Sequence, residues 1–96
     1  MTSRSVRREV LSMDQNWFLY IIECRTSELY VGIAKNVKKR VALHDQGRAC
    51  RYTKFRRPVT LVHQELCGSY HEARTREREV KKFSRSKKLA LKDLSL

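Results

Sequence analysis

The stretch Trp17-Phe-Leu-Tyr-Ile-Ile-Glu-Cys24, Arg25-Thr-Ser27, Leu29-Tyr-Val-Gly-Ile-Ala34 decides the fold. Its first segment is rich in aromatic and β-branched residues and reads as a strand. Leu29 to Ala34 reads the same way, and Arg25-Thr-Ser27 is short enough to turn the chain between them. The pair therefore predicts an antiparallel hairpin. Downstream, Asn36 is a good N-cap for a helix over residues 37–46, with Gly47 as its stop. Residues 48–57 read as a basic loop, and Pro58 opens a third strand, Val59 to Leu66. Ser69-Tyr-His-Glu72 has the spacing of a capping box, which starts a second helix reaching about Phe83. Ser84 caps a last helix through Leu91. The expected order is β-β-α-β-α-α, an α+β fold. Residues 16–94 are expected to form one domain. The basic residues 1–15 are expected to be an extension outside it, with Met13 as an alternative start.

The chain has 96 residues, 22 Lys plus Arg against 10 Asp plus Glu, and a formal charge of +12. That length holds one domain. At 41% hydrophobic residues it can build a core, which excludes a disordered polycation. The charge excess points to a polyanionic partner, of which nucleic acid is the commonest. No apolar run is long enough to span a bilayer, and Arg4, Arg7 and Arg8 are followed by no apolar stretch of a secretory signal. Cys24, Cys50 and Cys67 lack close metal-ligand spacing and suit a reduced, cytoplasmic chain.

Several polar residues fall on faces where apolar ones belong. Val37 and Val41 define the apolar stripe of the first helix, and Arg40 and His44 share that side. Both need a partner or a task, or Arg40 lies at the stripe edge and snorkels to water. On the second helix, Ala73, Val80 and Ser84 form the small and apolar stripe, and Glu77 lies near its middle. An inward carboxylate demands a cation, either a metal or a structural partner such as Arg40. Tyr20 and Tyr30 sit mid-strand on the hairpin. Tyr30 shares a face with Gly32 and Ala34, whose small size would leave open space beside it. In the loop, Arg48, Arg51, Lys54, Arg56 and Arg57 alternate with Tyr52 and Phe55. Such alternation suits phosphate neutralisation with stacking on bases. Lys35 and Lys39 extend this basic surface.

Taken in order, these residues resemble the GIY-YIG nuclease superfamily, especially its small stand-alone bacterial members. Phe18-Leu19-Tyr20 takes the place of the first motif and Tyr30-Val31-Gly32 that of the second. The run ending at Arg40 is similar to the segment carrying the family's catalytic Arg, and His44 follows where many members have His. Arg51-Tyr-Thr and Arg56-Arg-Pro-Val59 are typical of the stand-alone branch. Glu77, within Glu-Arg-Glu-Val-Lys81, matches the metal-binding Glu. The first motif lacks its Gly and Ile, and the second has Val for Ile.

The resemblance implies a three-stranded antiparallel sheet flanked by helices and a DNA endonuclease acting in repair or recombination. It implies hydrolysis of a phosphodiester with one divalent cation, Mg²⁺ or Mn²⁺, held by Glu77 with water and phosphate oxygens. Arg40 would stabilise the charge added on the scissile phosphate. A tyrosine would take the proton of the attacking water, which requires a neighbouring cation to lower its pKa from about 10. Tyr20 is favoured for this, with Tyr30 and His44 as rivals. The expected partner is double-stranded or branched DNA, with a protein partner as a further expectation, and the chain as monomer or homodimer. The alternative is a module that binds DNA or RNA without cutting it, or a partner-dependent subunit.

Overall fold

The computed structural model describes residues 16–94; the extension expected over residues 1–15 lies outside the described residues. Three strands form one antiparallel sheet: β1 (Trp17–Cys24), β2 (Leu29–Ala34) and β3 (Val59–Gly68). β1 is central, in the order β2-β1-β3. Both neighbours run antiparallel to it, with Tyr20 opposite Gly32 on one side and Gln64 on the other. Helix α1 (Val37–Asp45) follows the hairpin, α2 (Arg51–Lys54) precedes β3, and α3 (Tyr70–Lys81) and α4 (Arg85–Leu94) complete the chain.

The central strand explains its own sequence. Residues Leu19 to Ile22 are all buried, because helices cover both faces of the sheet. A strand buried on both faces reads as a continuous apolar run rather than an alternating one. Tyr20, Ile22 and Cys24 pack with Ala34, Val37 and Val59 on the α1 side. Leu19 and Ile21 pack with Val31 and Val80 on the α3 side, against Phe83 and Leu91.

The helix boundaries follow local chemistry. Asn36 accepts a hydrogen bond from the Lys39 amide at 3.0 Å, and Gln46 closes the helix before Gly47 turns at φ +75°. The Ser69 hydroxyl accepts from the Glu72 amide at 3.1 Å, and the Glu72 carboxylate accepts from the Ser69 amide at 3.3 Å. The capping box read from the sequence is therefore formed. The observed architecture agrees with the expected one, with one addition. The segment read as a basic loop contains a single helical turn, α2. Arg51-Tyr-Thr-Lys54 is too short to show an apolar period, so nothing in its pattern announces a helix.

Candidate active site

The site is assembled where β1, β2, α1 and α2 meet. Tyr20, on β1, is 1% exposed, and its hydroxyl lies 2.8 Å from Nε2 of His44 on α1. The register places Tyr20 directly across from Gly32 on β2. A Cβ at Gly32 would lie 2.5 Å from the Tyr20 hydroxyl oxygen. The Gly is therefore required by the close approach of a phenol. This corrects the expectation of open space beside Tyr30: the volume freed by Gly32 is filled by Tyr20.

Tyr30 stands beside this pair. Its ring centroid is 6.4 Å from that of Tyr20, 4.9 Å from the His44 ring and 6.0 Å from Tyr52. The four rings form one aromatic wall joining the sheet, α1 and α2.

Arg40, one turn before His44 on α1, is half-buried and close enough for its guanidinium to act on the Tyr20 phenol. Burial raises the pKa of Tyr20, and Arg40 and its charge pull in the opposite direction without overcoming it. Burial also raises Tyr30, aided by Cys50 and Tyr20. The expectation that a cation brings a phenol below its ordinary value is thus corrected for both tyrosines. Withdrawing a phenolate from water costs more than one guanidinium returns. His44 is fully buried, and burial followed by the Arg40 charge lowers its pKa to about 4. The imidazole is neutral at physiological pH and has a lone pair to offer.

The other ring nitrogen of His44, Nδ1, lies 2.7 Å from Oγ1 of Thr53 on α2. Thr53 is also fully buried, and its hydroxyl reaches both the Cys50 carbonyl and the Cys50 sulfur at 3.4 Å. Burial opposes ionisation of Cys50, but its polar surroundings, Thr53 first and then nearby backbone and Tyr30, outweigh it and bring the thiol below the ordinary value. Sequence reasoning assigned no role to Thr53. The only signal was its place in Arg51-Tyr-Thr, and α2 is what turns it inward.

Glu77 is 6% exposed, on the inward stripe of α3 with Ala73 and Val80. Its charge opposes ionisation of Tyr20. Its ion-pair partners are Arg74, one turn before it, and Lys81 at 3.2 Å. Arg40, the structural partner considered from the sequence, is not among them. Because Arg74 is partly exposed and Lys81 exposed, both cations can yield the carboxylate to a metal and remain hydrated. A buried, hard oxygen donor of this kind fits Mg²⁺ or Mn²⁺, which keep several of their waters. Among the described residues, no group of three or more His, Cys, Asp and Glu is arranged to hold a metal.

The basic residues divide by position. Arg48, Arg51, Lys54 and Arg57 are exposed around α2, and Lys35 and Lys39 flank the start of α1. The Arg56 guanidinium stacks 4.0 Å from the Tyr52 ring centroid and pairs with Glu28 at 3.8 Å. Lys35 lies 5.5 Å over the Trp17 ring. Phe55, 70% exposed, opens onto a cavity of about 430 Å³ lined by Asp45, Lys54, Arg57 and Pro58. An apolar ring so exposed amid cations is free to stack, as the alternation of cations with Tyr52 and Phe55 in the sequence leads one to expect.

Comparison with known proteins places this geometry in context. The GIY-YIG catalytic domain family model matches residues 16–90. A UPF0213 protein of Staphylococcus saprophyticus is 48% identical over 79 residues, covering 82% of this chain and 95% of its own length. A UPF0213 protein of Staphylococcus haemolyticus is 47% identical over 74 residues, covering 77% of this chain and 90% of its own. The solution NMR structure of a UPF0213 protein from Bacillus halodurans superposes with a TM-score of 0.53 at 38% identity, covering 82% of this chain and 84% of that one.

Proposed function

Because the chain belongs to the GIY-YIG catalytic domain family, we propose that it is a metal-dependent endonuclease that hydrolyses phosphodiester bonds in DNA. One observation carries the reading. The Tyr20 hydroxyl contacts His44 at 2.8 Å and lies within the electrostatic reach of both Arg40 and Glu77. Residues from β1, α1 and α3, far apart in sequence, thus act on one phenol.

In this reading Glu77 holds one Mg²⁺ or Mn²⁺, which supplies charge neutralisation at the scissile phosphate when bound. Arg40 binds a phosphate oxygen and stabilises the charge that develops there. The Tyr20 hydroxyl, donating to His44, keeps a lone pair that accepts from the attacking water. The water proton passes to that oxygen as the phenolic proton passes to Nε2 of His44. The hydroxide forms the new P–O bond, the old P–O bond breaks, the leaving oxygen takes a proton from solvent, and His44 returns its proton to solvent through Tyr20. A raised phenol pKa is compatible with this relay, since phenolate never accumulates. Tyr30 positions the His44 ring by edge contact. Lys35, Lys39, Arg48, Arg51, Lys54, Arg56 and Arg57 neutralise flanking phosphates, and Tyr52 with Arg56 supplies a stacking face. A role in DNA repair or recombination follows from this activity.

The test is a panel of divalent cations against single-stranded, duplex, nicked and branched DNA, with the parent, Glu77→Ala and Arg40→Ala. Cleavage by the parent with Mg²⁺ or Mn²⁺, lost in both folded variants, supports the proposal. If both variants fold and cut like the parent, the assigned site is wrong. Salt-sensitive binding with no cleavage under any condition would instead make the protein a non-cleaving module.

A further inference from the structure

The nuclease reading gives His44 the relay proton but leaves open what holds its ring in the receiving state. One direction among the hydrogen bonds around it is fixed by chemistry: a carbonyl can only accept, so the Thr53 hydroxyl donates to the Cys50 carbonyl at 3.4 Å, a local back-bond to the start of α2. With its proton turned there, the Thr53 oxygen faces Nδ1 of His44 at 2.7 Å as an acceptor, so Nδ1 carries the proton. A neutral imidazole protonated on Nδ1 has a bare Nε2. Nε2 then accepts from the Tyr20 hydroxyl, 2.8 Å away.

From this geometry we propose that Thr53 is a positioning residue that holds His44 as the Nδ1–H tautomer, keeping Nε2 open to Tyr20. The inference rests on the nuclease reading only for its consequence in catalysis; the tautomer itself is a property of the folded chain. It also gives α2 a task. Thr53 and His44 are both fully buried, so no water competes at Nδ1, and the choice of tautomer falls to this one hydroxyl. A hydroxyl is suited to the place because it accepts from Nδ1 and donates to a carbonyl at once. Valine has the same shape and can do neither.

Long-range ¹H–¹⁵N correlation of the unmodified protein at neutral pH reads the ring directly. Nδ1 protonated and Nε2 bare is the expected pattern, and the opposite pattern overturns the proposal. This measurement needs neither cleavage nor a variant, so a chain that never cuts DNA still decides it. The second measurement is the pair Thr53→Val and Thr53→Ser. In Thr53→Val the tautomer should shift to Nε2–H and the cleavage rate should fall on the order of 10²-fold, with DNA affinity kept, as for loss of a proton acceptor. Thr53→Ser should restore both the tautomer and the rate. Parental cleavage by folded Thr53→Val overturns the proposal. If Thr53→Val fails to fold, the Ser variant and the parental ring spectrum carry the decision.

Discussion

Gly32→Ala is the substitution for which the structure makes the most definite demand. The new methyl would lie 2.5 Å from the Tyr20 hydroxyl oxygen and 2.7 Å from the ring carbon that bears it. Ordinary contact between such atoms is about 3.5 Å, so one partner must retreat by roughly 1 Å. The phenol has nowhere to go. Its ring is 1% exposed, and its hydroxyl is held by His44 at 2.8 Å. Overpacking of this kind costs about 1–3 kcal/mol. For a domain of this size that lowers the melting temperature by roughly 5–20 °C, read by calorimetry or circular dichroism. The same displacement breaks the Tyr20–His44 contact, and a misplacement of about 1 Å can cost on the order of 10²-fold in rate. Tyr20→Phe removes the nearest atom and frees the ring from its tether. The double variant Gly32→Ala with Tyr20→Phe should therefore lose less stability than the two single losses added together. A Gly32→Ala protein that melts and cuts like the parent would refute the close approach, and strictly additive losses would show that the methyl strains something other than Tyr20.

Other outcomes follow from the same site. His44, ordinarily near 6.5 and lowered to about 4 in the fold, is neutral when folded but takes a proton when unfolded. Its contribution is present above about pH 6.5 and is lost as pH falls toward 4, by about 3 kcal/mol. Glu65, held low by Arg76 and His63, adds its own loss below the ordinary carboxylate range. Denaturant titrations across that window should show the fall, and His44→Gln should flatten its upper part. Glu77→Gln should abolish cation-dependent cleavage while changing stability by less than about 1 kcal/mol, because its partners, partly exposed Arg74 and exposed Lys81, rehydrate. A large drop in melting temperature would mean that the carboxylate serves the fold. Ser69→Ala removes the capping box and should cost about 1 kcal/mol with cleavage unaltered, since α3 keeps its apolar stripe.

Much of the fold was legible in the chain because its cues are local. The hairpin follows from β-branched and aromatic runs about a short turn, and both Asn36 and Ser69 announce helices that form as read. The inward face of Glu77 and His44 could be read too, since helical periodicity places each among apolar neighbours and both are buried. What could not be read lies between elements. α2 has four residues and no period, and its position depends on packing beside α1. Thr53 looked like one more polar residue in a basic loop, and only the fold puts its hydroxyl 2.7 Å from His44.

Residues read one after another already specify a small basic α+β domain with Tyr20, Tyr30, Arg40, His44 and Glu77 in family order. Element periodicity, caps and charge are properties of neighbouring residues, so they survive without coordinates. Which groups touch is fixed by packing alone: Tyr20, not open space, fills the gap at Gly32; Glu77 pairs with Arg74 and Lys81; and burial outweighs Arg40 at the phenol. Those outcomes depend on cross-strand register and on how much water the packed elements exclude. Both are set by contacts between residues distant along the chain.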